Sequence, residues 1–371
     1  MKFSVSSSDL QKKLSMANGV VGANTVLPIL EDYLFSLKGN TLTITASNLE
    51  TTIITSIEVN GEEDGAIAIT AKILLDTLKA LPEHPVTFEV DQNIGTVTIT
   101  SAYGKYKLAG DNPEDFPDLP TQDEVKSLKL NSGLISDALT KTLFATSNDE
   151  LRMAMQGVYV QIEESSIIFV ATDAHKLVKY TFQTEQQNEV YTFIIPKKGL
   201  ILLKNALSQN VEVDMTYNLN NVFFDIDGTQ VIIRLIDAKY PDYNAVIPYD
   251  NANRLTINRS DFLQSLRRIA IYANKSTNQV VLNITDASLT ISAQDLDFSN
   301  EATEQLSCEY TGDPMNIGFN AKFLIEMLGV LGTDEVHLKL STPNRAGILV
   351  PSEQPDSEEL IMLVMPVMMG N

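Results

Sequence analysis

The sequence predicts an α+β protein made of three repeated domains, each with two helices packed on antiparallel sheets. One observation is a pattern of short strand, basic residue and leucine-rich helix that occurs three times. It reads ITAKILLDTLKALP at 69–82, IIPKKGLILLKNAL at 194–207 and IGFNAKFLIEMLGVLG at 317–332, with Lys72, Lys198 and Lys322 spaced 126 and then 124 residues apart. A second marker keeps the same step: KFSVSSSDL at 2–10, LKLNSGL at 128–134 and LTINRSDFL at 255–263 each set a strand before a Ser/Asn helix start. A third, Phe116-Pro117-Asp118 against Tyr240-Pro241-Asp242, is again 124 apart. Self-similarity at one long period marks a repeat architecture. The expected domains are 1–121, 122–249 and 250–371.

The first repeat opens with strand 2–5 and a helix from about Ser8 to Asn18. Alternating apolar residues through 25–59, broken at Gly39-Asn40, predict hairpins. A helix follows at 71–81, then strands through 88–110. The stretch DNPEDFPDLP at 111–120 combines prolines with clustered acids and reads as a linker. In the second repeat the pattern predicts strand 127–130, helix 132–146, strands 156–162, 167–171 and 176–182, helix 197–207 and a hairpin over 211–236, with KYPDYNAVIP as its linker. The third runs through helix 260–274, strands 279–284, 288–293 and 301–310, helix 320–331 and strands 335–350. It ends on the strand-like ELIMLVMPV.

Composition narrows the class. A 44% apolar content over 371 residues suits several domains with real cores. The longest apolar run, 361–369, is too short to span a bilayer, and the N-terminus has no apolar segment of signal-peptide type. One cysteine, Cys308, excludes internal disulfides and fits a reducing cytoplasm. With three scattered histidines (His84, His175, His337) it leaves little material for a zinc site, and no cofactor is expected.

The net charge of −21 argues at first against a nucleic-acid partner. Its distribution argues otherwise. Over the six helical windows 8–18, 71–81, 131–146, 197–207, 259–275 and 320–331 there are 13 Lys+Arg against 5 Asp+Glu, a net +8, so the rest of the chain carries −29. In helix 259–275, Phe262, Leu263, Leu266, Ile269, Ala270 and Ala273 form one face, with Arg268 and Lys275 on the other. Lys72 and Lys79, seven apart, also lie off their leucine face. Solvated helix faces are the plain reading of such charges. Their recurrence in so acidic a chain favours a surface that attracts phosphate at one place and repels it elsewhere.

Two stretches offer catalytic chemistry. FFDIDGTQV at 223–231 looks like the aspartate signature of haloacid-dehalogenase-type phosphatases, with Asp225 and Asp227 as nucleophile and acid/base. However, Asp227-Gly228 stands between two strand-like runs, which is a hairpin-turn signal. Asp173 and His175 in ATDAHKL make no triad by themselves, and there is no GxxxxGK[ST] loop. The end of the chain reads either as a last core strand or, through Met362, Met365, Met368 and Met369, as a groove for partner peptides. A scaffold without a DNA role is a further alternative.

Several motifs, in order, resemble the bacterial sliding clamp, the beta subunit of DNA polymerase III. They are TVLPIL at 25–30, NTLTITASNLE at 40–50, DFPDLP at 115–120, RMAMQGVYV at 152–160, ATDAHKL at 171–177, IIPKKG at 194–199, KYPDYNAVIP at 239–248, MNIGFNAKFL at 315–324 and LVMPV at 363–367. The similarity spans the whole chain. It implies a cytoplasmic, nucleoid-associated, non-catalytic processivity factor. Two copies would form a head-to-tail homodimer whose ring encircles duplex DNA, each chain being half of the ring. It also implies docking of the clamp loader, the replicative polymerase and repair proteins through short Gln/Leu/Phe-containing peptides.

By motif, the resemblance implies a peptide cleft formed by Met155, Thr172, Ala174, His175, Lys176, Leu177, Pro241, Val246, Leu363, Val364, Met365, Pro366 and Val367. Ala174 replaces the family's usual glycine, Ala245 a frequent arginine, and the tail extends slightly past Val367. The implied DNA contacts are Lys72, Lys197 and Lys198. Lys79, Lys204 and Arg268 join them from the charge pattern. Asn24 stands where an arginine is common, and Met153-Ala154 replace a tyrosine pair, so that loop is expected to contribute less. The implied dimer seam sets Lys105 and Lys107 against Asp295, Asp297, Glu301 and Glu304, with apolar contact from Ile271 and Tyr272.

Overall fold

The computed structural model describes residues 1–22, 27–92, 94–184, 190–208 and 210–368. Among these are six α-helices: α1 (Ser7–Ala17), α2 (Ala71–Ala80), α3 (Ser132–Thr142), α4 (Lys197–Ala206), α5 (Arg259–Ile269) and α6 (Ala321–Gly329). Each follows directly on a strand. The repeated Ser/Asn marker supplies the caps: Ser6 accepts from Asp9 N, Asn131 from Gly133 N and Asn258 from Asp261 N. Each cap satisfies an otherwise orphaned first-turn N–H and favours the helix by about 1 kcal/mol. Leucine faces are buried as the 3.6 periodicity requires: Leu74, Leu75 and Leu78 on α2, and Phe262, Leu263, Leu266 and Ile269 on α5.

The chain divides into two compact units that do not follow the sequence period. One comprises 1–136 with 198–235, the other 137–197 with 236–371. The first holds a thirteen-stranded sheet. There strand Thr229–Arg234, from the middle third, pairs antiparallel with Thr51–Glu58, and the buried hydroxyls of Thr55 and Thr229 lie 3.0 Å apart. The second holds a nine-stranded and a five-stranded sheet. In the former, strand Lys176–Gln183 pairs with Glu358–Val364 over seven residue positions. Middle-third strands therefore complete a sheet in each unit. Within its own unit α1 packs on α2, and α5 on α6.

The predicted hairpin over 211–236 is three strands, Glu212–Tyr217, Asn221–Ile226 and Thr229–Arg234. Its second turn is Asp227-Gly228, with φ of +48° and +73°. Positive φ at both central residues is the two-residue turn that matches strand twist. Asp225 sits mid-strand opposite Asp214, exposed, and its strand runs into a two-residue hairpin turn and not into the strand–loop–helix of phosphatase type. The phosphatase reading has no site.

One carboxyl in the first unit is unusual. Asp32 is buried at the start of strand Asp32–Lys38, opposite Thr70. Burial, and then the neighbouring Asp111 carboxyl, push its pKa up to about 7.

Candidate partner-binding cleft

The residues named for the cleft all lie in the second unit, around an apolar face of the nine-stranded sheet. Val170 and Leu177 from adjoining strands, Ile348 and Val350 from Gly347–Pro351, and Leu363 from Glu358–Val364 make an apolar floor. The linker lies across it, burying Tyr240, Tyr243 and Ile247. Tyr240 stacks on Tyr159 with centroids 4.6 Å apart, and its hydroxyl donates to Val170 O at 3.4 Å. The Tyr243 hydroxyl donates to Gln161 Oε1. Burial raises the pKa of both phenols, so each remains a neutral donor.

The hairpin turn 172–177 forms one wall. Asp173 Oδ1 accepts from the backbone N–H groups of His175 and Lys176, both at 2.9 Å, while Thr172 Oγ1 donates to Lys176 O at 2.7 Å. The turn forces Ala174 to φ +74°, a region a side chain resists and glycine does not. The glycine usual at this position therefore has a physical reason, and this chain does without it.

Lys176 closes the wall. Its side chain is 6% exposed, and the ammonium lies 2.8 Å from Asp173 Oδ2 and 3.1 Å from Glu326 Oε2 on α6, and 4.4 Å above the Phe323 ring. His175 stacks against the same ring at 6.2 Å. The tail forms the opposite side: Met365 N donates to His175 O at 2.9 Å, and Pro366–Val367 pairs with Phe319 and Gly318.

Exposure sorts the predicted cleft residues. Ala174, His175, Pro241, Val246 and Met365 are exposed, and Met155, Pro366 and Val367 are half-buried. Thr172, Lys176, Leu177 and Leu363 are buried in wall and floor. Val364 is fully buried too, on the face opposite Leu363, where it is the cross-strand neighbour of Lys176. Met362 is core for the same reason, whereas Met368 is 77% exposed and Met369 lies outside the described residues. Phe323, Glu326, Tyr240, Tyr243 and Ile348 were not anticipated. Their signals were the i, i+3 spacing of Phe323 and Glu326 on one helix and the tyrosines of the linker.

The helix cations are less uniform than their spacing suggested. Lys72, Lys79 and Lys198 are exposed, and Lys204 is half-buried. Lys197 donates to Asn148 Oδ1 at 3.1 Å. Arg268 is a correction. Its guanidinium forks onto both oxygens of Glu304, at 2.7 and 2.6 Å, so the intended phosphate contact and the intended seam acid neutralise each other. That hydrogen bonding holds the Glu304 carboxyl below its ordinary range and raises Arg268. Met153 is 57% exposed, and Ala154 is half-buried, packed against the apolar floor. Asn24 lies outside the described residues.

The residues named for the seam fall at or near two strand edges. Strand Lys105–Asp111 pairs with Thr96–Thr100 on one side, and its other side is paired at Gly110 and Asp111 alone. Lys105 and Lys107 are exposed there. Strand Asn300–Ser307 ends the five-stranded sheet and, among the described residues, pairs only with Ser288–Asp295. Glu301 and Asp297 are exposed near it, but Asp295 is a correction: it is 3% exposed and accepts from Asn274 Nδ2 and Asp297 N, fixing the turn. Ile271 (66%), Tyr272 (43%), Leu296 (78%) and Phe298 (73%) expose apolar surface in this region, the last two unforeseen.

Comparison with known proteins is decisive. The N-terminal, central and C-terminal domains of the DNA polymerase III beta subunit match residues 1–120, 129–242 and 244–365. The chain belongs to the beta sliding clamp family. It is 27% identical to the beta sliding clamp of Vibrio cholerae over 99% of this chain and all of that one. It is 28% identical to that of Synechocystis over the full length of both. The sliding clamp of Bacillus subtilis superposes with a TM-score of 0.95 at 25% identity, both chains fully covered. So does the Pseudomonas aeruginosa sliding clamp bound to griselimycin, at 0.94 and 25%. The clamp fold, three α+β domains in one chain, accounts for the repeat. Its function is that of a DNA sliding clamp, a non-catalytic processivity factor of DNA polymerase III that works with DNA, polymerase and copies of itself.

Proposed function

We propose that two copies of this clamp close head to tail into a ring around duplex DNA, strand Lys105–Asp111 of one meeting Asn300–Ser307 of the other. The observation that carries this is the pair of incompletely paired strand edges, one beside exposed lysines and the other beside acids and an exposed apolar patch. Unpaired edges are ready-made docking surfaces. Exposed ion pairs contribute at most about 1 kcal/mol each, so backbone pairing and the burial of Ile271, Tyr272, Leu296 and Phe298 carry the seam.

In this reading the domains are 1–121, 122–249 and 250–371, and the helices line the hole. Lys72, Lys79, Lys197, Lys198 and Lys204 face phosphates without reading bases, which permits sliding. The cleft takes short partner peptides of the clamp loader, polymerase and repair proteins. The protein works in the cytoplasm, on the nucleoid. No helix among the described residues is long and apolar enough to cross a membrane.

The test is retention after loading by a cognate clamp loader, on nicked circles against the same DNA linearised. Retention on circles with rapid loss from linear ends is expected. Equal, salt-sensitive loss from both would overturn the ring.

A further inference from the structure

We propose that a peptide seated in the cleft continues past Ile247 into a second pocket, which takes an apolar side chain from the peptide's flank. The inference rests on the cleft reading above and goes beyond it. The second pocket is lined by Ile247, Tyr249, Asn251, Ile348, Val350 and Ile361. Ile247, Ile348 and Val350 belong to the same apolar cluster as the cleft residues Leu177 and Leu363, and Ile361 packs against it. The two depressions therefore share one floor, and the buried Ile247 stands at the pocket's edge as the wall between them.

Strand register sets the spacing. Ile348 pairs with Leu363, and Leu363 pairs with Leu177, so these three form one row across the sheet. Ile361 and Val350 lie two residues along from Leu363 and Ile348, on the same face by alternation. Two strand residues span about 6.7 Å, a distance that two residues of an extended peptide cover.

The pocket's chemistry indicates what enters. Asn251 spends both amide hydrogens on Lys339 O and Ala346 O, at 3.1 and 2.9 Å. Its Oδ1 is buried and has no partner among the described residues. That oxygen is closed to solvent, so Asn251 ties the pocket wall to the Lys339 and Ala346 carbonyls and offers no free polar group to an occupant. The rim holds one cation and one anion, Lys339 and Glu359, and Glu359 is already paired with Lys179 at 3.4 Å. No net charge selects a charged occupant. An apolar side chain on Ile348, Val350 and Ile361 fits the lining.

The experiment uses the full chain and three synthetic peptides: Gln-Leu-Ser-Leu-Phe, and the same with Ser-Leu-Ile added at either end. Affinities are read by fluorescence polarisation on wild type and on Tyr249→Ala, a 75% exposed wall residue whose loss leaves the core intact. One extended peptide is expected to bind about tenfold tighter than the pentapeptide on wild type, a gain typical of one filled apolar pocket. On Tyr249→Ala most of that gain should vanish while the pentapeptide binds as before. If neither extension gains, or the gain survives undiminished in Tyr249→Ala, the second pocket is refuted and the cleft stands. If the pentapeptide itself does not bind, the cleft reading fails and takes this one with it.

Discussion

Lys176 and Glu326 meet at 3.1 Å, joining the turn 172–177 to helix α6 across the wall of the cleft. The lysine is buried, so its charge is tolerable only because Asp173, Glu326 and the Phe323 ring surround it. Lys176→Met keeps most of the volume but strands Asp173 and frees the helix contact. We expect a loss of about 2–3 kcal/mol in urea unfolding, between the values for exposed and fully buried pairs. Lys176→Arg should retain most of the stability. Equal, small effects of both substitutions would show that the pair contributes nothing.

Ala174 holds a left-handed conformation that costs an L-residue about 1–2 kcal/mol, against about 0.5–1 kcal/mol for the extra unfolded-state freedom of glycine. Ala174→Gly is therefore predicted to stabilise the protein modestly, by about 0.5–1 kcal/mol, seen as a raised thermal midpoint. A lowered midpoint would mean that the alanine methyl packs favourably enough to outweigh the strain.

The Arg268–Glu304 fork separates true phosphate contacts from apparent ones. Lys198→Ala should reduce the slope of log K against log salt for duplex DNA by about one, as removal of one phosphate contact does. Arg268→Ala should leave that slope unchanged, because its charge is already spent on Glu304. Equal reductions in the two variants would place Arg268 on the DNA.

Asp32 makes the first unit sensitive to pH. Its pKa is raised in the folded state, so the native protein holds this proton when the unfolded chain has released it. The stability this group contributes is fully present below the ordinary carboxylate range. It is lost as pH rises from about 4 through about 7, and is flat above. Asp32→Asn cannot titrate. The difference in unfolding free energy between variant and wild type should therefore shift in the variant's favour across that window. A pH-independent difference would show that Asp32 is ordinarily ionised.

Much of this was legible in residue order. Strand-then-helix starts at Ser6, Asn131 and Asn258 sit where local hydrogen bonding puts them, and such preferences act over three or four residues. Asp227-Gly228 likewise declared its turn. What stayed hidden depends on residues far apart in sequence. Arg268 and Glu304 are 36 apart, and Lys176 and Glu326 are 150 apart. A charge pattern along one helix cannot say that a strand from elsewhere will quench it. Motif resemblance, for its part, names a run such as Leu363-Val364 without saying that a strand sends alternate members of it to opposite faces.

The middle third lends strands to both units, with Thr229–Arg234 zipped to Thr51–Glu58 and Lys176–Gln183 zipped to Glu358–Val364. A fragment cut at 121 would bare the Thr51–Glu58 edge, and one cut at 249 would bare Lys176–Gln183. Both edges are eight residues long, the first rich in β-branched residues and the second carrying Val178, Tyr180 and Phe182, the kind that recruits other chains into aggregates. The repeat is thus a unit of pattern without autonomy. Dissection of this protein into soluble pieces should follow the ladders, by circular permutation or by co-expression of halves, and not the period.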